Sequence, residues 1–134
     1  MPSILNLLIV DDSKHMRTLV RTIVNSLGIL EVYEAENGEQ AYKALEDFPA
    51  DIIIVDWNMS PIDGIEFTRQ VRTNDDSPNA YVPIIMLTGH TQMKRVEIAR
   101  DAGVNEFWQS RYQQKRYINV SMKSWKSRAN ISGH

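Results

Sequence analysis

Residues 4–12 read Ile-Leu-Asn-Leu-Leu-Ile-Val-Asp-Asp, a nearly continuous apolar run that ends on two aspartates. Such a run is typical of a strand buried on both faces of a parallel sheet, because a half-exposed strand would alternate apolar and polar residues. Residues 51–56, Asp-Ile-Ile-Ile-Val-Asp, show the same pattern and also end on an aspartate. The two segments therefore predict two buried strands of one parallel sheet.

Helical spacing follows the first predicted strand. The apolar positions that form one helical face are Met16, Leu19, Val20, Ile23, Val24 and Leu27. Ser13 is a suitable N-cap, and Gly28 stands where such a helix ends. Further strands are predicted at residues 30–35, 82–88 and 104–108, and further helices at 38–48, 65–72 and 91–102. This alternation predicts an α/β protein built from right-handed βαβ units.

Length and composition narrow the class of protein. A chain of 134 residues fits one domain, and the absence of cysteine excludes disulfides, thiolate metal sites and cysteine nucleophiles. Residues 1–106 hold 17 acidic and 9 basic residues, a net charge of −8, whereas residues 107–134 hold 6 basic residues and no acid. The acidic body argues against nucleic-acid binding. Neither a membrane span nor a signal peptide is recognisable, so we expect a cytoplasmic protein.

Polar side chains follow three of the predicted strands. Asp11 and Asp12 follow the first, Asp56 ends the third and Thr88 ends the fourth. Parallel α/β sheets gather functional groups at the carboxyl ends of their strands, so these side chains are expected to meet. A hard divalent cation such as Mg²⁺ would relieve the repulsion among the carboxylates. The alternative is that the aspartates only cap a helix and terminate a strand.

Five groups of residues together resemble the receiver domain of two-component response regulators, especially the single-domain chemotaxis type. They are Val10-Asp11-Asp12-Ser13, Val55-Asp56-Trp57-Asn58-Met59 with Pro61, Asp63-Gly64, Met86-Leu87-Thr88-Gly89 and Ala102-Gly103-Val104-Asn105-Glu106-Phe107. They stand in the family's order and cover residues 4 to about 107. The resemblance implies a flavodoxin-like, doubly wound sheet of five parallel strands in the order 2-1-3-4-5.

The resemblance also implies functional roles. Asp56 would accept a phosphoryl group from a sensor histidine kinase or phosphotransfer protein, and a switched surface would bind a downstream protein. Thr88 would contact the phosphoryl group, and Phe107 would be the switch aromatic. The implied Mg²⁺ ligands are Asp11, Asp12, Asp56 and the main-chain carbonyl of Asn58. The chain would thus be a signalling phospho-acceptor rather than an enzyme, acting without nucleic acid or membrane.

The chain departs from the receiver pattern after Phe107. Receivers carry Lys-Pro directly after the fifth strand, and here those positions hold Ser110 and Arg111. Residues 109–134 show no continuous apolar helical face, so we expect the family's final helix to be missing or disordered. The predicted organisation is a receiver core at residues 1–108 and an atypical basic, non-native or disordered tail at 109–134.

Codon reading suggests an origin for this tail. In a shifted reading frame that starts at residue 107, each codon consists of the third base of one original codon and the first two bases of the next. Codons built in this way can encode Leu-Ala-Lys-Pro, the sequence that the family places here. We therefore hypothesise a one-base frameshift near codon 107, in the gene, the clone or the sequence. A naturally divergent tail is the alternative, and sequencing the DNA distinguishes the two.

Two other functions compete with phospho-acceptance. A Mg²⁺-dependent phosphatase with an aspartate nucleophile usually carries Asp-x-Asp after its first strand, whereas Asp11 and Asp12 are adjacent. No Gly-rich phosphate loop is present in the sequence either. A pseudo-receiver, an interaction module that is never phosphorylated, is favoured by the absent lysine and disfavoured by the aspartates and Thr88.

Overall fold

The computed structural model describes residues 5–89, 93–109 and 114–128. Strands and helices alternate along this part of the chain. The elements are β1 (Asn6–Val10), α1 (Lys14–Ser26), β2 (Glu31–Ala35), α2 (Gly38–Ala44), β3 (Ile52–Asp56), α3 (Gly64–Thr73), β4 (Ile84–Thr88), α4 (Met93–Ala102), β5 (Glu106–Gln109) and α5 (Gln114–Arg128).

The described strands form one parallel sheet in the order β2-β1-β3-β4-β5, which confirms the predicted flavodoxin-like topology. The order reverses at β1, so β2 lies on one side of it and β3 on the other. Ligands of open α/β sheets bind at such a switch point, outside the carboxyl ends of the strands. The fold therefore places a crevice next to the residues that follow β1 and β3.

Alternate residues of the central strands enter two separate hydrophobic cores. Ile53 and Val55 belong to the core that α2, α3 and α4 cover, where Phe67 is fully buried. Ile52 and Ile54 belong to the opposite core, which α1 and α5 cover. Because β1 and β3 bury both faces, their apolar residues run almost without interruption, as the sequence predicted.

The boundaries of α1 are those expected from the sequence. The Ser13 hydroxyl accepts a hydrogen bond from the Met16 amide, which satisfies one free donor of the first turn. Gly28 follows the helix with a φ of 91°, a conformation that costs glycine little. The second helix is shorter than predicted, ending at Ala44, because Glu46 and Asp47 donate to carbonyls three residues earlier and tighten the last turn.

The expectation that the final helix is missing was wrong. The helix α5 is present and contacts α1 and β5. Met122 and Trp125, three residues apart, are both buried against α1, and Lys126 Nζ donates to the Leu27 carbonyl at 2.6 Å. Among the described residues of α5, these two large apolar side chains on adjacent turns pack the helix onto the sheet side without a continuous apolar stripe.

Candidate functional site

Three carboxylates meet at the carboxyl edge of the sheet. Asp11 and Asp12 follow β1, and Asp56 ends β3, the strand hydrogen-bonded to β1. One carboxylate oxygen of each residue lies within 4.8 Å of the others. Asp11 is buried, Asp56 is half-buried and Asp12 is exposed, so the pocket is dry at its base and open to solvent at its mouth.

The backbone and side chain of Asp11 are held by neighbouring elements. Its amide donates to the Ala35 carbonyl of β2 at 3.1 Å, and its carboxylate accepts the Ser13 amide at 2.8 Å. Its carbonyl accepts Arg17 Nη1 at 2.6 Å. These contacts from three parts of the chain fix the first carboxylate before any ligand arrives.

Burial and mutual repulsion raise two of the pKa values in this pocket. Burial raises the pKa of Asp11 to about 6 with help from the Asp12 charge, against the Ser13 amide and Arg17, which lower it. Burial likewise raises the pKa of Asp56 to about 7, and the charges of Asp11 and Asp12 add to the rise. The arrangement therefore disfavours three negative charges unless a cation joins them.

This donor set fits a hard divalent cation. Carboxylate oxygens around a partly open pocket are the ligands that Mg²⁺ accepts while retaining several waters. Arg17, a described residue whose charge lowers the pKa of Asp11, donates to a carbonyl and to Glu34 rather than to the carboxylate oxygens of the pocket. The aspartates that the sequence predicted as metal ligands are thus brought together.

The loop after Asp56 is tightly closed. The Trp57 amide donates to the Leu87 carbonyl at 3.1 Å, and the Gly64 amide donates to the Trp57 carbonyl at 2.8 Å. A Cβ atom at Gly64 would collide with the Asp56 carbonyl, so only glycine allows this approach. Asn58 is exposed, and its amide lowers the pKa of Asp56, which places the Asn58 backbone beside that carboxylate.

Thr88 and Phe107 lie on the next two strands. Thr88 ends β4 and is fully buried at the same edge of the sheet as the three carboxylates. Phe107 lies in β5, and its ring meets that of Trp57 edge-on with centroids 6.1 Å apart. The Arg95 guanidinium stacks over the same indole at 4.5 Å. The indole of Trp57 therefore joins the Asp56 loop to α4 and β5.

Sequence reasoning missed Arg17, Glu34 and Arg95. Arg17 is buried on the face of α1 that also buries Val20 and Val24. Its spacing from those residues, three and seven positions, was the available signal that this arginine points inward. No pattern in the neighbouring sequence indicated a role for Glu34 or Arg95, because their partners are distant in sequence. The predicted lysine position, Ser110, lies outside the described residues.

Comparison with known proteins identifies similar chains. The family model of the response regulator receiver domain matches residues 7–120, which extends into α5. Chemotaxis protein CheY1 of Helicobacter pylori is 39% identical over 105 residues, covering 77% of this chain and 82% of that protein. Chemotaxis protein CheY-3 of Vibrio cholerae is 32% identical over 111 residues, covering 80% and 84%.

Solved structures give the same result. The structure of Vibrio cholerae chemotaxis protein CheY4 superposes with a TM-score of 0.80 at 26% identity, covering 91% of this chain and 98% of that one. A putative response regulator from Chloroflexus aurantiacus superposes with a TM-score of 0.78 at 25% identity, covering 92% and 97%. In the part of this chain that is described, no helix is long and apolar enough to cross a bilayer.

Proposed function

Because this chain belongs to the response regulator receiver family, we propose that Asp56 accepts a phosphoryl group from a sensor histidine kinase or phosphotransfer protein. The observation that carries the proposal is the meeting of Asp11, Asp12 and Asp56 within 4.8 Å at the switch point of the sheet. CheY-like receivers are signalling proteins rather than classical enzymes, and transfer to Asp56 would be a single event per signal.

The reaction is a displacement at phosphorus. An Asp56 carboxylate oxygen forms a bond to phosphorus while the phosphorus–nitrogen bond of a phosphohistidine breaks. The electron pair returns to the histidine nitrogen, and a proton completes the neutral imidazole. Asp56 must be ionised to attack, and its raised pKa of about 7 keeps part of it protonated near neutral pH. A cation held by these carboxylates would lower that pKa and increase the reactive fraction.

Mg²⁺ is the cofactor that we propose. Asp11, Asp12, Asp56 and the carbonyl of Asn58 would hold it. When bound, it neutralises charge on the transferring phosphoryl oxygens. The chain's own part is to keep the carboxylates in place and to exclude water from the base of the pocket, where Asp11 is 3% exposed.

The switch follows from the neighbours of Asp56. We propose that Thr88 hydrogen-bonds the phosphoryl group and that Phe107 responds through its contact with Trp57. A cavity of about 190 Å³ lies between α4 and β5, and Ala99, Val104 and Phe107 are among its lining residues. This surface is the proposed contact for a downstream protein in the cytoplasm, because a change at Phe107 alters the cavity wall directly.

Ser110 limits this switch. The family's lysine ammonium would pair with the acyl phosphate, and serine at this position carries no charge. We therefore propose that Asp56 still binds Mg²⁺ and still accepts the phosphoryl group, while coupling to the partner surface is weakened. Full activation of this chain by a small phosphodonor would contradict the second part.

Intact mass spectrometry after exposure to acetyl phosphate and Mg²⁺ tests the proposal. We expect one acid-labile phosphoryl group per chain, none in Asp56→Asn and none after Mg²⁺ is chelated. Asp63→Asn is the control, because Asp63 caps α3 through the Glu66 amide and lies outside the carboxylate cluster. No phosphorylation at any Mg²⁺ concentration would identify a pseudo-receiver, and repeated turnover of a phosphate ester would identify a phosphatase.

A further inference from the structure

A buried arginine joins the candidate metal pocket to the edge strand of the sheet. Arg17 lies on α1 and is only 8% exposed. Its Nη1 donates to the Asp11 carbonyl at 2.6 Å, and its Nε donates to Glu34 Oε1 on β2 at 3.0 Å. A buried guanidinium is costly unless its donors are satisfied, and these two hydrogen bonds satisfy two of the Arg17 donors.

Glu34 is itself held on its other side. Arg21 Nε donates to Glu34 Oε2 at 2.6 Å, and Arg21 Nη2 donates to the Val32 carbonyl at 3.1 Å. Although burial acts to raise the pKa of Glu34, hydrogen bonds from Arg21 and Arg17 lower it below its usual range. Glu34 therefore stays ionised and orients the Arg17 guanidinium toward the Asp11 carbonyl.

The carbonyl that Arg17 holds belongs to the peptide bond between two pocket aspartates. That peptide is planar, so fixing its oxygen also fixes where the backbone of Asp12 begins. On the other side of Asp11, its amide is held by the Ala35 carbonyl. The two contacts hold both peptide groups that flank the Asp11 Cα atom, from which its carboxylate side chain leaves.

We propose that Arg17, oriented by Glu34, is a positioning residue for the cation site formed by Asp11, Asp12 and Asp56. This inference rests on the proposed function, since it assumes that Mg²⁺ binds there. Arg17 acts on the site through a backbone carbonyl, and its donors do not occupy the carboxylate oxygens that the cation needs.

Positioning and charge predict opposite results when Arg17 is replaced. A positive charge close to the pocket repels a cation, so removal of that charge alone would tighten Mg²⁺ binding. Loss of the held carbonyl lets the aspartate backbone move and weakens binding, and loss of such supporting contacts typically costs about 10–100-fold in metal affinity. The sign of the change therefore separates the two effects.

The test is a Mg²⁺ titration of Arg17→Gln followed by amide NMR shifts in the pocket loops. It is run at pH 8, above the pKa values of about 6 and about 7 of Asp11 and Asp56. We expect a dissociation constant about 10–100-fold higher than that of the unmodified protein. Arg17→Lys keeps the positive charge but lacks the forked donors of the guanidinium, so we expect its Mg²⁺ binding to be weak as well.

Arg72→Gln is the matched control. Like Arg17, Arg72 donates both to backbone and to a side chain, but at the opposite edge of the sheet. Its acceptors are the carbonyls of Gly103 and Ala80 and the Asn105 side chain. We expect it to lower the melting temperature without changing the Mg²⁺ dissociation constant. An unchanged or lower dissociation constant in Arg17→Gln would overturn the inference and show Arg17 to be purely structural or electrostatic.

Two further measurements keep the result interpretable. If Arg17→Gln does not fold, Glu34→Gln removes the group that orients Arg17, and we expect a smaller increase of the same sign. In the metal-free protein we expect faster amide exchange at Asp11 in both variants, because its flanking contacts loosen. If the unmodified protein binds no Mg²⁺, the proposed function fails and this inference with it. If the unmodified protein binds Mg²⁺ and both variants bind it equally well, the inference alone fails.

Discussion

Replacing Asp56 by asparagine should stabilise the metal-free protein at pH 8. The pKa of Asp56 is about 7 in the folded protein, against an ordinary value of 3.8. The folded protein therefore keeps a proton on this carboxyl at pH values where the unfolded chain has lost it. The resulting stability is present at low pH and is lost as the pH rises from about 4 to about 7.

The size of the effect follows from the same shift. One pKa unit corresponds to about 1.4 kcal/mol, so ionising Asp56 costs the metal-free fold at most about 4 kcal/mol. Solvent at the open side of the pocket reduces both the burial cost and the repulsion from Asp11 and Asp12, and a buried amide keeps some desolvation cost. We expect about 2 kcal/mol of stabilisation, which raises the melting temperature by about 6–8 °C in a domain of this size.

The assay is thermal unfolding in the presence of a chelator at pH 5 and pH 8. Asp56→Asn should gain stability at pH 8 and gain much less at pH 5. Because Asp56 is a proposed Mg²⁺ ligand, we also expect added Mg²⁺ to raise the melting temperature of this variant less than that of the unmodified protein. Asp47→Asn is the control, because Asp47 is an exposed residue that follows α2 at the opposite edge of the sheet. An unchanged or lowered melting temperature for Asp56→Asn at pH 8 would refute the conclusion that burial and the neighbouring carboxylates disfavour ionised Asp56.

Three other substitutions test the surroundings of the site. Gly64→Ala places a methyl group against the Asp56 carbonyl, so we expect a loss of about 1–3 kcal/mol in urea unfolding and slower phosphorylation by acetyl phosphate. Trp125→Ala removes a buried side chain of α5, so we expect a loss of about 3–5 kcal/mol in the free energy of unfolding in the same assay. The control is Val120→Ala at an exposed position of the same helix, which should change it by less than about 0.5 kcal/mol. Arg95→Gln removes the cation over the indole of Trp57, so we expect a shift in tryptophan emission and a loss of about 0.5–2 kcal/mol in the free energy of unfolding.

The sequence was sufficient to predict the sheet because its signals are local. Buried parallel strands carry uninterrupted apolar residues, and Ser13 and Gly28 mark the ends of α1 by capping and by a positive φ. The final helix could not be predicted in this way. Its stability comes from Met122 and Trp125 packing on a helix about a hundred residues earlier in the chain, and tertiary contacts of this kind override a weak periodic pattern.

In the candidate site, too, the sequence could predict some features and not others. Asp11, Asp12 and Asp56 could be predicted to meet because parallel strands end at one edge, and the structure brings their oxygens together. The contact between Arg17 and Glu34 could not be predicted, since α1 and β2 adjust their spacing through packing that no local pattern encodes. Phe107 was expected to be a switch, yet its edge-on contact with Trp57 became visible only in three dimensions.

The arginines near the pocket pair with Glu34 rather than with the pocket carboxylates. Among the described residues, the ion pairs link Glu34 to Arg17 and Arg21, and none involves a pocket carboxylate. An arginine paired directly with Asp56 would stabilise the metal-free fold, but it would also compete with a cation for the same oxygens. Holding the backbone from the side instead keeps the carboxylates close, ionisable and free of cationic side-chain partners. The pocket thereby retains the burial and the mutual repulsion of its carboxylates, which the proposed divalent cation would relieve.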